Sequence, residues 1–87
     1  MLMTIQVRRV IAVLADHPTG LYGREVVAKT GLGTGAIHPI LQRLRDHGYA
    51  ASRWDTTPTG RPVRRYTWLT DAGRTLAAEQ AAERDAG

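Results

Sequence analysis

Between positions 4 and 15 the apolar residues Val7, Val10, Ile11 and Leu14 stand at i, i+3, i+4 and i+7, the spacing of one helical face. The spacing predicts a first helix there, which His17, Pro18, Thr19 and Gly20 bring to a stop. Turning about 100° per residue puts Ile5, Ala12 and Val13 away from that face. Helix 1 is therefore apolar on a second side, which suits either a subunit contact or deep burial in a small core. A second short helix is predicted over 22–30, with Val26 and Val27 inward and Gly31 as its stop. The third, over 34–47, buries Ile37, Ile40, Leu41 and Leu44 at the same spacing and ends at Gly48. Pro39 falls near its first turn, where a missing N–H costs least.

After Gly48 the period shortens. Positions 49–56 and 63–69 carry aromatic and β-branched residues and flank Thr57-Pro58-Thr59-Gly60-Arg61-Pro62, which predicts a β-hairpin with a long tip. Tyr66 and Trp68 share a face and are expected to cover the helical core. Together with Trp54 they read as cross-strand packing rather than a base-stacking platform. A last helix over 71–85 follows Thr70 as N-cap, and Leu76 is its one large apolar residue, leaving alanine to fill the rest of the inward face. The fold class is mainly α with a small β-hairpin, in the order α-α-α-β-β-α. Residues 1–70 form a winged helix-turn-helix domain, and 71–87 a short C-terminal helix available for dimerisation.

A chain of 87 residues makes one domain, and 43% hydrophobic with 23% charged residues is a globular composition. Cysteine is absent, which removes disulfides and thiolate metal sites and agrees with a reducing cytoplasm. The longest apolar run, 10–15, is far short of the roughly 20 residues that span a bilayer, and no signal-peptide cleavage site follows it. A cytoplasmic protein with no membrane association is expected. Net charge is +4, unevenly spread: 1–69 hold ten basic against four acidic residues, and 70–87 two against four. A polyanion-facing surface therefore lies before Thr70. Eleven of the twelve cations are arginine, whose planar fork suits phosphates and base edges; codon usage in a GC-rich genome gives the same bias.

Three helices, a hairpin and a final helix, with a short glycine-rich link before helix 3, make the order of a helix-turn-helix carrying a wing. In that arrangement helix 3 enters the major groove and reads bases mainly from its N-terminal half. With Ile37 inward, Gly35, Pro39, Gln42 and Asp46 face away, His38 and Arg45 flank one side and Arg43 the other. The candidate readers are Thr34, His38, Gln42 and Arg43. Gln42 suits adenine N6 and N7, Arg43 guanine O6 and N7, and Thr34 a phosphate or a thymine methyl. His38 can donate to a phosphate or a purine, or rest on water. Arg45, beside Asp46 on a solvated face, is expected to contact nothing. The hairpin holds Arg53, Arg61, Arg64 and Arg65 against the single acid Asp55. A wing of this charge tracks phosphates or places an arginine in the minor groove, giving salt-dependent affinity.

An enzyme has little support: His17, His38 and His47 match no metal-ligand spacing, no phosphate loop ends in Lys-Ser/Thr, and one small core leaves little room for a substrate cavity. No cofactor or metal is implied, and no residue cluster marks a small-molecule effector. The runs Tyr22-Gly23-Arg24-Glu25-Val26, Gly35 to Leu44 around His38-Pro39, Gly48-Tyr49, Gly60-Arg61, and Arg64 through Gly73 together resemble the PadR family of winged-helix transcriptional regulators. The resemblance implies a dimeric repressor on a palindromic double-stranded operator. It supports Thr34, His38 and Arg43 on the recognition helix, Tyr22 as a phosphate contact, and Arg61, Arg64 and Arg65 on the wing. His38 stands where the family most often has tyrosine, and the last helix is shorter and poorer in leucine than the family's. The expected homodimer surface comprises Ile5, Arg9, Ala12 and Val13 of helix 1 with Leu76 of the last helix, matching half-sites about one helical turn apart. A second reading keeps the winged helix but makes it a protein-interaction module with weak or no DNA binding.

Overall fold

The computed structural model describes residues 1–55, 60 and 64–86. Thr4 opens α1 (Ile5–Ala15): its backbone is extended and its hydroxyl accepts the Val7 N–H at 3.2 Å, satisfying one donor that the helix leaves unpaired. The chain leaves α1 through His17 and Gly20, pairs briefly as β1 (Leu21–Tyr22), then enters α2 (Gly23–Thr30). Tyr22 is the N-cap of α2, and its N–H donates to Glu25 Oε1 at 2.9 Å. Gly31 closes α2 in the left-handed conformation that residues with a Cβ avoid, as the sequence predicts. α3 (Thr34–Asp46) follows from Gly33, with Pro39 accommodated inside it.

β2 (Ala50–Asp55) and β3 (Arg64–Leu69) pair antiparallel from Ala50 opposite Leu69 to Asp55 opposite Arg64. The tip residues 56–59 and 61–63, Arg61 among them, lie outside the described residues. The hairpin is extended by one strand that the sequence pattern did not reveal: β1 pairs with β3, giving a three-stranded sheet in the order β1-β3-β2. α4 (Asp71–Ala86) is capped by Thr70, whose hydroxyl accepts the Gly73 N–H at 3.2 Å and donates to the Gly48 carbonyl at 2.6 Å.

All eight apolar positions assigned to the inner faces of α1 and α3 are buried: Val7, Val10, Ile11 and Leu14, and Ile37, Ile40, Leu41 and Leu44. Val26 of α2 joins them, and the sheet closes the core with Leu21, Ala50 and Leu69. Fully burying side chains of this size contributes about 1.5 to 3 kcal/mol each, which makes this cluster the main source of stability. One expectation is corrected. The inward face of β3 is Thr67 and Leu69, both buried, while Tyr66 and Trp68 occupy the opposite face and are only half-buried. The inner side of α4 also differs from the alanine stripe expected: Gly73 and Gln80 are buried beside the half-buried Leu76 and Ala77. Gln80 Nε2 donates to the Arg8 carbonyl at 2.8 Å, and Arg8 pairs with Glu83 at 3.2 Å, so polar contacts fasten α4 to α1.

Candidate nucleic-acid interface

The buried stripe of α3 turns its other side outward, and Thr34, His38, Gln42 and Arg43 are all exposed there. Thr34 is the first residue of the helix, where unpaired backbone N–H groups favour an anion. Gln42 is already engaged: its amide donates to Asp46 Oδ1 at 2.8 Å, and its carbonyl accepts from Arg45 Nη2 at 3.1 Å. Arg45, expected to pair near Asp46 on a solvated face, bonds Gln42 instead. Arg45 is half-buried with its Nε enclosed and unpartnered among the described residues, and burial first, then the Arg65 charge, lowers its pKa.

Between α3 and the sheet runs a groove of about 420 Å³. Leu41 and Trp54 give it apolar wall, and Arg24, His38, Arg45, Arg64 and Arg65 stand along it with Tyr22. Of the residues expected to contact DNA, Tyr22, His38, Arg64 and Arg65 thus meet at one cleft, and Thr34 meets His38 and Arg24 in an adjoining depression. Gln42 and Arg43, although between Leu41 and Arg45 in α3, do not line the groove. Arg24, Arg45 and Trp54 belong to the groove and were not among the expected contacts. Only the cross-strand register, which sets Trp54 opposite Arg65, could have drawn one of them in.

Among the described residues, the wing arginines Arg53, Arg64 and Arg65 are each held by an aromatic ring rather than by a carboxylate. Arg65 lies 5.1 Å above the Trp54 ring, and its Nε donates to Ser52 Oγ at 2.9 Å. Arg64 lies 5.6 Å from the Tyr22 ring centre and Arg53 5.6 Å from that of Tyr66. Such cation–π contacts orient a guanidinium while leaving its charge intact. Among the described residues the ion pairs are Arg8–Glu83 and Arg74–Asp71, so no groove or wing arginine is neutralised by one. Tyr22 packs edge-on against Tyr66 at 4.8 Å, and its hydroxyl donates to Asp55 Oδ2 at 2.5 Å. That hydrogen bond, followed by partial desolvation and the Asp55 charge, raises the Tyr22 pKa.

A profile of the transcriptional regulator PadR-like family matches residues 10–79, from the middle of α1 into α4. The chain belongs to this family. Among solved structures, this PadR-like chain superposes on a PadR-like transcription factor from Bacteroides fragilis with a TM-score of 0.76 at 24% identity, covering 90% of this chain and 79% of that one. BpsR of Bordetella bronchiseptica, a protein whose DNA binding is regulated by 6-hydroxynicotinic acid, gives a TM-score of 0.80 at 22% identity over 95% of this chain. The PcaV regulator of Streptomyces coelicolor, solved with its natural ligand, gives 0.76 at 27% over 92%. The chain spans 60% of BpsR and 54% of PcaV, so it corresponds to only part of those regulators. No curated protein matches the sequence. The family and these neighbours share a winged-helix fold and are DNA-binding regulators of transcription, not enzymes.

Elsewhere on the PadR-like fold, Ile5, Arg8, Arg9, Ala12, Val13 and Asp16 of α1 and Arg84 of α4 line a second groove, of about 330 Å³. Four of the five residues expected at a dimer contact are brought together there. The fifth, Leu76, instead packs against the core. Ile5 and Leu2 each expose 78% of their surface, whereas Ala12 and Val13 are half-buried. Arg9 reaches back to the Thr30 carbonyl at 3.3 Å. Among the described residues no helix is long and apolar enough to cross a membrane, and no cluster of His, Cys, Asp or Glu could hold a metal ion.

Proposed function

We propose that the protein is a sequence-specific repressor that binds a palindromic double-stranded operator as a homodimer. In this reading α3 lies in the major groove with Thr34, His38, Gln42 and Arg43 toward base edges and phosphates, while Arg61, Arg64 and Arg65 follow the backbone or enter the minor groove. Tyr22 stands at the rim between them. The observation that carries the reading is the groove itself: an exposed helix face and the wing arginines Arg64 and Arg65 flank one cleft in which, among the described residues, no carboxylate forms an ion pair with an arginine. The dimer forms through the exposed side of α1, with Ile5, Arg9, Ala12 and Val13, beside the end of α4 and the base of Leu76. It acts in the cytoplasm, where its operator is.

Selection of bound fragments from random or genomic duplex DNA tests the proposal most directly, because it reports binding, sequence and half-site spacing together. Enriched inverted repeats with centres about one helical turn apart are expected. Replacing Arg61, Arg64 and Arg65 by alanine should abolish duplex binding at physiological salt and flatten its salt dependence by nearly three units of log–log slope. Unchanged duplex binding in that variant, or enrichment of no sequence, overturns the reading in favour of a protein-interaction module.

A further inference from the structure

Asp55 and Arg64 stand directly opposite each other on β2 and β3. Opposite charges in that position ordinarily face each other on one side of a sheet and attract. Here they do not pair: the ion pairs among the described residues lie elsewhere, and Arg64 rests over the Tyr22 ring. Asp55 directs a carboxylate oxygen to the Tyr22 hydroxyl instead. Tyr22 is fixed in place from three sides. It caps α2, pairs with Tyr66 across β1 and β3, and packs edge-on against that ring.

The geometry points to Tyr22 as a positioning residue that occupies the one acid of the wing, and so keeps Arg64 unpaired and charged for a DNA phosphate. The hydroxyl gives Asp55 a strong hydrogen bond to a charged acceptor, and the ring face gives Arg64 a seat that leaves its N–H groups free. One side chain thus separates two charges that would otherwise cancel. A Tyr22 hydroxyl committed to Asp55 has no second proton to donate to a phosphate. The residue therefore acts through Arg64 rather than by a contact of its own. The raised Tyr22 pKa agrees with a proton held between phenol and carboxylate. This inference rests on the DNA-binding reading above and adds to it the regulation of charge within the wing.

The test compares the full chain with Tyr22→Phe, Asp55→Asn and the double variant on a mixed-sequence duplex of about thirty base pairs, titrated across a salt series. Loss of the hydroxyl in Tyr22→Phe releases Asp55 to Arg64, and affinity is expected to fall roughly tenfold, the scale of one interaction with a charged group. The slope of log K against log salt should drop by about 0.9, the signature of one phosphate contact. Adding Asp55→Asn to Tyr22→Phe removes the captor and should restore both affinity and slope. Asp55→Asn alone keeps an acceptor for the hydroxyl, removes a negative charge, and should bind the duplex tighter than the parent. In the structure of Tyr22→Phe, Arg64 should lie within ion-pair distance of Asp55, a readout that needs no DNA. Failure of the double variant to recover, with thermal melts showing it folded, would mean that Tyr22 contacts the phosphate itself and sinks the inference. If the parent chain binds no duplex while Arg64 still moves onto Asp55 in Tyr22→Phe, the charge separation stands and the DNA-binding reading falls.

Discussion

Gly73 shows how one missing side chain sets the geometry of a junction. It is buried in the first turn of α4, and a Cβ built on it would overlap the Tyr49 carbonyl oxygen and press on Leu69. That carbonyl also accepts the Thr70 N–H at 3.0 Å, so backbone holds it and it cannot retreat cheaply. Gly73→Ala is therefore expected to destabilise by about 1 to 3 kcal/mol despite the better helix propensity of alanine. In a domain of this size that is a fall in melting temperature of roughly 4 to 8 °C for each kcal/mol. A melt unchanged or raised in the variant would show that α4 can lift off the sheet freely. Gly20 is constrained in a related way: it has φ +106°, and a Cβ there would meet the Tyr66 ring at 2.6 Å. In the sequence Gly73 is visible only as part of a recurring run from Leu69, because the residue it must accommodate is far away along the chain. The identities of Thr34, His38 and Arg64 as polar, exposed groups were legible from angle and alternation. The bonds that decide their availability were not, since they depend on which rotamer finds a partner.

At the scale of elements, α1 and α3 were readable almost to the residue because a buried stripe repeated over three turns admits one assignment. The sheet was not. Alternation says that Arg64, Tyr66 and Trp68 oppose Arg65, Thr67 and Leu69, but it leaves open which set is inside, and a shift of one residue exchanges the two. Aromatic size suggested Tyr66 and Trp68; the smaller Thr67 and Leu69 are the buried pair instead, and Tyr66 is used against Tyr22 and Gly20. β1 has two residues, too few for any period to register. α3 itself yields a prediction. Asp46 is the acid on its exposed face, and its Oδ1 holds the Gln42 amide. Asp46→Ala removes a charge facing the proposed phosphate track and frees that amide for a base edge. Duplex affinity in an electrophoretic titration is expected to rise several-fold, while thermal stability changes by no more than about 0.5 kcal/mol, as for other exposed helix pairs. Weaker binding in Asp46→Ala would show that Gln42 must be held by Asp46 in order to read DNA.

The whole molecule measures 49 × 25 × 20 Å, and the long axis is unusual for a chain whose core is a cluster of three short helices and a small sheet. α4 accounts for it. A helix of its 16 residues extends about 24 Å, and the side chains of Ala82, Glu83, Arg84 and Asp85 are exposed, with Ala81 half-buried. Its last turns are thus fixed to the rest of the fold chiefly by the Arg8–Glu83 pair, which lies on the surface and is worth little by itself. Ile5 lines a groove with Arg84 near the end of α4, and it and Leu2 are the two most exposed large aliphatic side chains on the described surface. An apolar patch next to a projecting helix is stabilised by repeating itself about a two-fold axis, because the same surface then covers both copies. In the proposed dimer the low apolar content of α4 limits its share: Leu76 already packs against the core, which leaves α1 as the main contact. Ile5→Glu, at a side chain 78% exposed, should give a monomer by sedimentation at micromolar concentration with an unchanged melting profile at low concentration. Because linking two half-site readers raises avidity by roughly 100-fold or more, the variant should lose about that factor on a two-half-site operator and almost nothing on a single half-site. Equal losses on both duplexes would place the α1 face in DNA contact instead, and a parent chain that sediments only as monomer, with and without operator, would remove the two-fold assembly altogether.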